Sequence, residues 1–186
     1  MKTRDFILLA YHAFGGQIHG KTALQKRIYF LSEILKVDLG YKAHFYGPYS
    51  NEVSNSNFEL KSMGYLSESV SSGGSYNSQG FEIARHDYEL TEDGKKIVER
   101  KKKVDPDLWM KISRAAKKIE EAGEINYMDL SIAAKEYFII KDEGGKAKLT
   151  KIEKLAPKFG WSVTLEKIRE TSIFLEKIGL IALKKK

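Results

Sequence analysis

Four histidines, ten tyrosines, 25 Asp+Glu and 32 Lys+Arg are the side chains of this 186-residue chain best suited to chemistry, and cysteine is absent. Without cysteine there is no disulfide framework, thiolate zinc site or catalytic thiol. His12, His19, His44 and His86 are not spaced as ligands on one helix, and no His-x-x-x-His or paired-carboxylate signature accompanies them. Gly15-Gly16, Gly73-Gly74 and Gly144-Gly145 lack a phosphate-loop lysine at the required spacing. With no nucleophile matched to a base, the expectation is a non-catalytic protein that uses neither cofactor nor metal.

What can act instead is a set of cations, amides and phenols. On a helix starting near Ser50, the polar residues Asn51, Ser54, Asn55, Asn57 and Lys61 could meet base edges in a major groove, where asparagine pairs bidentately with adenine. Lys21, Lys26, Arg27, Arg85, Lys95 and Lys96 would then sit on phosphates, with the loop around Tyr76 reaching a neighbouring groove. The bland alternative is a polar, solvated helix face, and Glu52 and Glu59 on the same helix would repel phosphate. A second cluster joins Gln25 and Tyr29, four apart on one helical face, to the turn Tyr46-Gly47-Pro48-Tyr49, which could fold over them. It would form a small pocket or a partner-binding patch. Structurally, Gln25 would only complete a capping box with Thr22, and Tyr29 would only pad the core.

The charge balance permits acidic partners without demanding them. The net charge is +7 and the isoelectric point about 9.3, with the excess divided almost evenly between the halves. Basic runs carry most of it: Lys95-Lys96, Arg100 to Lys103 and Lys184 to Lys186. A solvated, lysine-rich surface explains this nearly as well as a DNA footprint. No apolar run approaches the roughly 18 residues of a membrane helix, and no signal peptide is evident, so a cytoplasmic location is expected.

Elements to position these side chains follow from periodicity. Thr3 to Phe14 reads as a helix with Phe6, Leu9, Ala10 and Tyr11 close to one face, stopped by Gly15-Gly16 and followed by a loop through Gly20. A second helix starts at Thr22, with Leu24, Ile28, Leu31 and Leu35 inward. After a short extended stretch, Ser50 caps a third helix running to about Met63, with Val53, Leu60 and Met63 inward and Gly64 as a left-handed stop. Tyr65 to Val70 and Phe81 to Leu90 read as strands around a Gly/Ser loop at 71–80, with a bulge near Ala84. Thr91 and Asp105-Pro106 begin helices, and the latter carries the stripe Leu108, Ile112, Ala115, Ile119. Further helices run from Tyr127 to Ile140, from a Thr150/Glu153 capping box to Gly160, and from Thr164 to Ile178, before a short strand at Leu180 to Leu183.

That order, three helices, strand, loop, strand, helix, is that of a winged helix. The fold class expected is mainly α with a small antiparallel β-hairpin (α+β): a winged helix-turn-helix over residues 1–103, with its wing at about 65–90, followed by a helical C-terminal domain over 104–186. Glu59 to Leu66 resembles the end of a recognition helix, and Tyr88 to Gly94 resembles the exit of a wing.

Gly15 to Leu31, then Phe45-Tyr46-Gly47-Pro48-Tyr49-Ser50, with Phe159-Gly160-Trp161 and Phe174 to Ile181, resemble the YwgA-type family of archaea and bacilli. The Lys, Leu-Gln-Lys and Tyr-Phe pattern followed by Tyr-Gly-Pro is more remotely similar to the Panacea domain of antitoxins and proteolytic adaptors, with Phe45-Tyr46 where that domain carries a tryptophan. The leading expectation is a transcriptional regulator that binds double-stranded DNA as a homodimer. The dimer would pair through the apolar faces of Leu108 to Ile119 and Leu165 to Leu175, if these do not pack on each other. The competing one is a winged-helix module that binds a protein partner, as an adaptor or antitoxin-like component, without contacting nucleic acid.

Overall fold

A computed structural model of the protein describes residues 2–76, 82–123 and 125–183. Helices α1 (Thr3–Ala13), α2 (Lys21–Leu35) and α3 (Asn51–Ser62) come first, with strand β1 (Gln17–His19) between α1 and α2. Strands β2 (Leu66–Tyr76) and β3 (Glu82–Leu90) follow, then α4 (Glu92–Val104), α5 (Pro106–Glu121), α6 (Tyr127–Asp142), α7 (Leu149–Leu155) and α8 (Leu165–Lys177). A single 3-10 turn, Ala156–Phe159, joins the last two. The architecture is therefore mainly helical with one small sheet, an α+β protein. No described helix is long and apolar enough to cross a membrane.

The sheet is antiparallel in the order β1-β3-β2. Its first strand corrects the reading of Gln17 to Gly20 as a loop. Gly15 and Gly16 hold φ near +83° and +87°, a region that L side chains rarely adopt, and so reverse the chain directly after α1. Ile18 then lies opposite Tyr88, and the Gly16 carbonyl accepts from Leu90 N–H at 2.8 Å. Serine and glycine also mislead at 71–80. Instead of starting a loop there, β2 continues to Tyr76, because Ser71 and Ser72 find ladder partners in Arg85 and Ala84. The bulge expected on β3 near Ala84 lies opposite it, on β2 between Ser72 and Tyr76. The rest of the expected loop, 77–80, its following strand residue Phe81 and the Lys184–Lys186 tail lie outside the described residues.

Ser50, Thr91, Asp105 and Thr164 each cap a helix as their chemistry demands, accepting from Val53, Gly94, Leu108 and Lys167 N–H. The two capping boxes do not form. Thr22 lies inside α2, whose first residue is Lys21, and Gln25 is engaged elsewhere. Glu153 turns away from its own helix and accepts from Leu165 N–H at 2.8 Å, so it caps α8 instead. Met63, expected inward, ends α3 at 46% exposure because Gly64 turns the chain there. Leu180 to Leu183 is not a strand; Leu180 and Ile181 pack on the core as irregular chain.

Helix α1 is not amphipathic in practice: Phe6 to Tyr11 are all buried, so the helix runs through the middle of the main hydrophobic cluster. That cluster takes residues from both sides of Val104, including Ile28, Phe30 and Leu60 with Ile112, Ala116, Leu130 and Phe174. The apolar stripe of α5 packs on α1 and α2, and that of α8 on α6, so each is used within the chain. A second cluster of Ile139, Ile140, Ile152, Ala156, Trp161 and Ile168 gathers around α7.

Gly94 in the first turn of α4 has no room for a side chain: a Cβ there would stand 2.2 Å from the Tyr65 carbonyl oxygen. Gly94→Ala is expected to lower unfolding free energy by about 1–3 kcal/mol through overpacking, despite alanine's better helix propensity. A denaturant midpoint equal to wild type would refute the close approach.

Candidate functional site

The connection between α2 and α3, residues 36–50, is irregular chain, exposed at 42–46 and buried at Leu39, Gly47, Pro48 and Ser50, and many of its main-chain groups are tied down. Lys36 leaves α2 in the left-handed region at φ 56°. Lys42 and Tyr49 form an antiparallel bridge, with N–H to O distances of 3.0 and 2.9 Å. Side chains from the helical body hold the rest. Lys26 Nζ donates to the Pro48 carbonyl at 2.6 Å, Ser131 Oγ to the Tyr46 carbonyl at 2.6 Å, and Trp161 Nε1 to the His44 carbonyl at 2.7 Å. The Gln25 amide brackets Ser50, donating to its carbonyl and accepting from its N–H, both at 3.0 Å. Ser50 Oγ in turn donates to the Leu39 carbonyl while capping α3. Gly47, at φ +98°, is required: a Cβ would press on Lys135 Cγ and Lys26 Cε at 3.2 and 3.3 Å.

Anchored on both sides, the apex projects Phe45 and Tyr46 into solvent at 70% and 62% exposure, their rings edge to face at 4.9 Å. Ser131, which holds the Tyr46 carbonyl, is one helical turn after Tyr127 and Met128, themselves 63% and 61% exposed. Phe45 and Tyr46 thus form one exposed aromatic pair, held over α6 by the Ser131 bond. Exposed apolar side chains that are adjacent, rather than scattered, are the informative kind.

The residues nominated from the sequence are distributed as follows. Lys26 and Asn57 are corrections. Lys26 is 2% exposed and spent on Pro48, so it cannot sit on a phosphate. Asn57 is 5% exposed and accepts from the Tyr11 hydroxyl at 2.7 Å, so it reaches no base edge. Asn51 and Asn55 are exposed on α3 and Ser54 is half-buried there. Lys61 pairs with Glu68, Arg85 with Asp87, Lys95 with Glu92, Lys96 with Asp93 and Arg27 with Glu120. Lys21 is exposed at the start of α2, and the side chain of Tyr76 lies outside the described residues. Of the second cluster, Gln25 and Tyr29 are buried, Tyr49 stacks at 5.0 Å on His44, and Tyr46 is exposed. The turn does fold over Gln25, but through main-chain hydrogen bonds rather than as an open pocket.

Two buried titratable groups escape a reading by motif. Burial, reinforced by nearby Lys135, lowers the Lys26 ammonium from its ordinary 10.5 to about 7. Glu136 is 1% exposed and accepts from Thr171 Oγ1 at 2.7 Å and from Ser172 Oγ. Burial raises its carboxyl to about 7, against the lowering effect of those two hydroxyls. The signal for Glu136 was present: it stands in register between Ala133 and Ile139-Ile140 on an otherwise apolar stripe. Among the described residues no three His, Asp or Glu side chains converge as a metal site would require.

No family model matches the chain. Over 127 residues it is 31% identical to the uncharacterised protein YwgA of Bacillus subtilis (strain 168), an alignment covering 66% of this chain and 72% of that protein.

Gln25→Ala removes both bonds to Ser50, a residue with no exposed surface. The expected loss is about 2–4 kcal/mol, measured by chemical denaturation. Two separate buried ionisable groups, Glu136 and Lys26, each give stability a pH dependence. Between about 4.5 and 7 folded Glu136 keeps a proton that the unfolded chain has released, so stability falls as pH rises. Between about 7 and 10.5 folded Lys26 lacks a proton that the unfolded chain binds, so stability rises with pH. Glu136→Gln should flatten the acidic limb and Lys26→Met the alkaline one. Unfolding midpoints across pH that keep both slopes in the variants would exclude these assignments.

Proposed function

The chain belongs to the YwgA family, and from that premise and its geometry we propose a winged-helix protein that works by binding another protein through the apex of the 36–50 loop. In this reading α1 to α3 are the trihelical body, β2 and β3 the wing, and α5 to α8 a helical C-terminal unit that braces the loop. The observation that carries it is the exposure of Phe45 and Tyr46 on a segment whose His44, Tyr46 and Pro48 carbonyls are each held by a buried side chain. A rigid aromatic pair loses little conformational entropy on association, and such anchors dominate interface energetics. Exposed Lys42 and half-buried Lys135 flank the apex, so the partner surface is an apolar centre with an acidic rim.

The same geometry lends less support to duplex DNA. Five of the basic side chains expected near DNA already face carboxylates, and Lys26 is buried. On α3, Glu52 and Glu59 are exposed, Glu59 pairing with Arg4. A photo-crosslinking residue at position 45, with a control at the exposed position 117 of α5, distinguishes the readings in native extract. A single protein adduct at 45 alone, unchanged by nuclease and lost on Tyr46→Ala, is expected. Equal labelling at both positions would overturn the proposal, and adducts to nucleic acid that vanish with nuclease would replace it with the DNA reading.

A further inference from the structure

His12 stands in the last turn of α1, where the last turn of α4 and the start of α5 meet it. Lys102 Nζ donates to His12 Nε2 at 2.6 Å and to Glu99 Oε1 at 2.6 Å, and lies 4.4 Å from the centre of the Trp109 ring. The His12 and Trp109 rings are themselves 5.3 Å apart. An ammonium carries three N–H donors and no lone pair, so imidazole, carboxylate and indole face occupy all three. The Lys102 side chain is 18% exposed, whereas His12 at 32% and Glu99 at 57% are open to water and its protons.

This contact fixes the state of the imidazole. Lys102 can only donate, so Nε2 must accept, which puts the ring proton on Nδ1 and leaves the ring neutral. An imidazolium has no acceptor to offer, and at this distance it would set two positive charges against each other. Glu99 supplies the alternative. Its Oε1 is 3.9 Å from His12 Nε2, too far for a hydrogen bond to the neutral ring but within reach of a small rotation.

The geometry points to a proton-operated exchange at the junction of α1, α4 and α5: on protonation His12 takes Glu99, and Lys102 leaves both the imidazole and the face of Trp109. The charged groups that act on His12 are Lys102, Glu99 and Lys95, all on α4. From α5 it meets the Trp109 ring, and no ionised side chain of α3, α5 or the sheet pairs with it among the described residues. Burial first and Lys102 next hold His12 below its ordinary 6.5, with Glu99 opposing and Lys95 assisting. The exchange therefore runs on acidification. Lys101 pairs with Asp5 at 2.8 Å and keeps the end of α4 on α1 meanwhile, so the change is confined to Lys102, Glu99 and the two rings. None of these residues belongs to the 36–50 loop, and the exchange is independent of partner binding there.

An NMR titration of the full chain from about pH 8 to about pH 5 tests it, following the four imidazole Cε1–H signals and the Lys102 Cε–H signals. His12→Gln and Lys102→Met assign them. At the alkaline end the indole face shifts the Lys102 signals upfield. They are expected to return to the position of exposed lysines with the same midpoint as His12. Glutamine accepts from Lys102 but takes up no proton, so in His12→Gln the upfield shift should persist over the whole range. Lys102→Met should raise the His12 midpoint and Glu99→Gln should lower it. Lys102 signals that stay upfield while His12 titrates, or that move equally in His12→Gln, would overturn the exchange. So would a His12 midpoint left unchanged by Lys102→Met.

Discussion

Lys26 and Gln25 are adjacent polar residues on a helix that otherwise buries apolar surface, and the connection from α2 to α3 exists in one form because of them. Burying an ammonium and an amide is costly unless each finds partners of good geometry, and here the partners are main-chain groups of the loop. The loop in turn contains carbonyls that would otherwise need water. Each side therefore solves the other's desolvation problem. Ser50 sits at the centre, bracketed by Gln25 while it caps α3, so the start of α3 is set by the same contacts. Trp161 extends them to the second hydrophobic cluster through His44. Without these bonds the two clusters would lack a shared polar joint, and the aromatic apex would have no fixed direction.

Charge is distributed in keeping with that economy. The net excess of lysine does not gather into one stripe, because many surface cations have a carboxylate in reach, several of them three residues away on the same helix. Exposed pairs of that kind add little to stability. Their larger effect is to leave the field around α3 and β3 weaker than the composition implies.

How much of this was legible in the sequence depends on whether a residue's role is local. Ser50, Thr91, Asp105 and Thr164 cap because the groups they serve lie three residues ahead, and the glycine stops after α1 and α3 are equally local. Roles that depend on distant chain were not legible. Gln25 and Glu153 each match a capping box, yet both serve residues beyond their own helix, at Ser50 and Leu165. Ile18 reads as loop because a three-residue strand has almost no periodicity and exists only where β3 offers an edge. The start of the Gly/Ser segment reads as loop by composition, but Ser71 and Ser72 are held as strand by pairing with β3. The motif Tyr46-Gly47-Pro48-Tyr49 did mark the right place; which of its side chains face water depends on Ser131 and Trp161, far along the chain.

Helix α1 carries a consequence for how the molecule is made. Six successive residues, Phe6 to Tyr11, are covered on every side, and their cover includes α5, more than ninety positions downstream. During synthesis this greasy segment is made well before residues 106–121, and it is fully shielded only once they have followed. Folding by halves during synthesis is thereby ruled out for the main core, and the interval is one in which a chaperone has an obvious foothold.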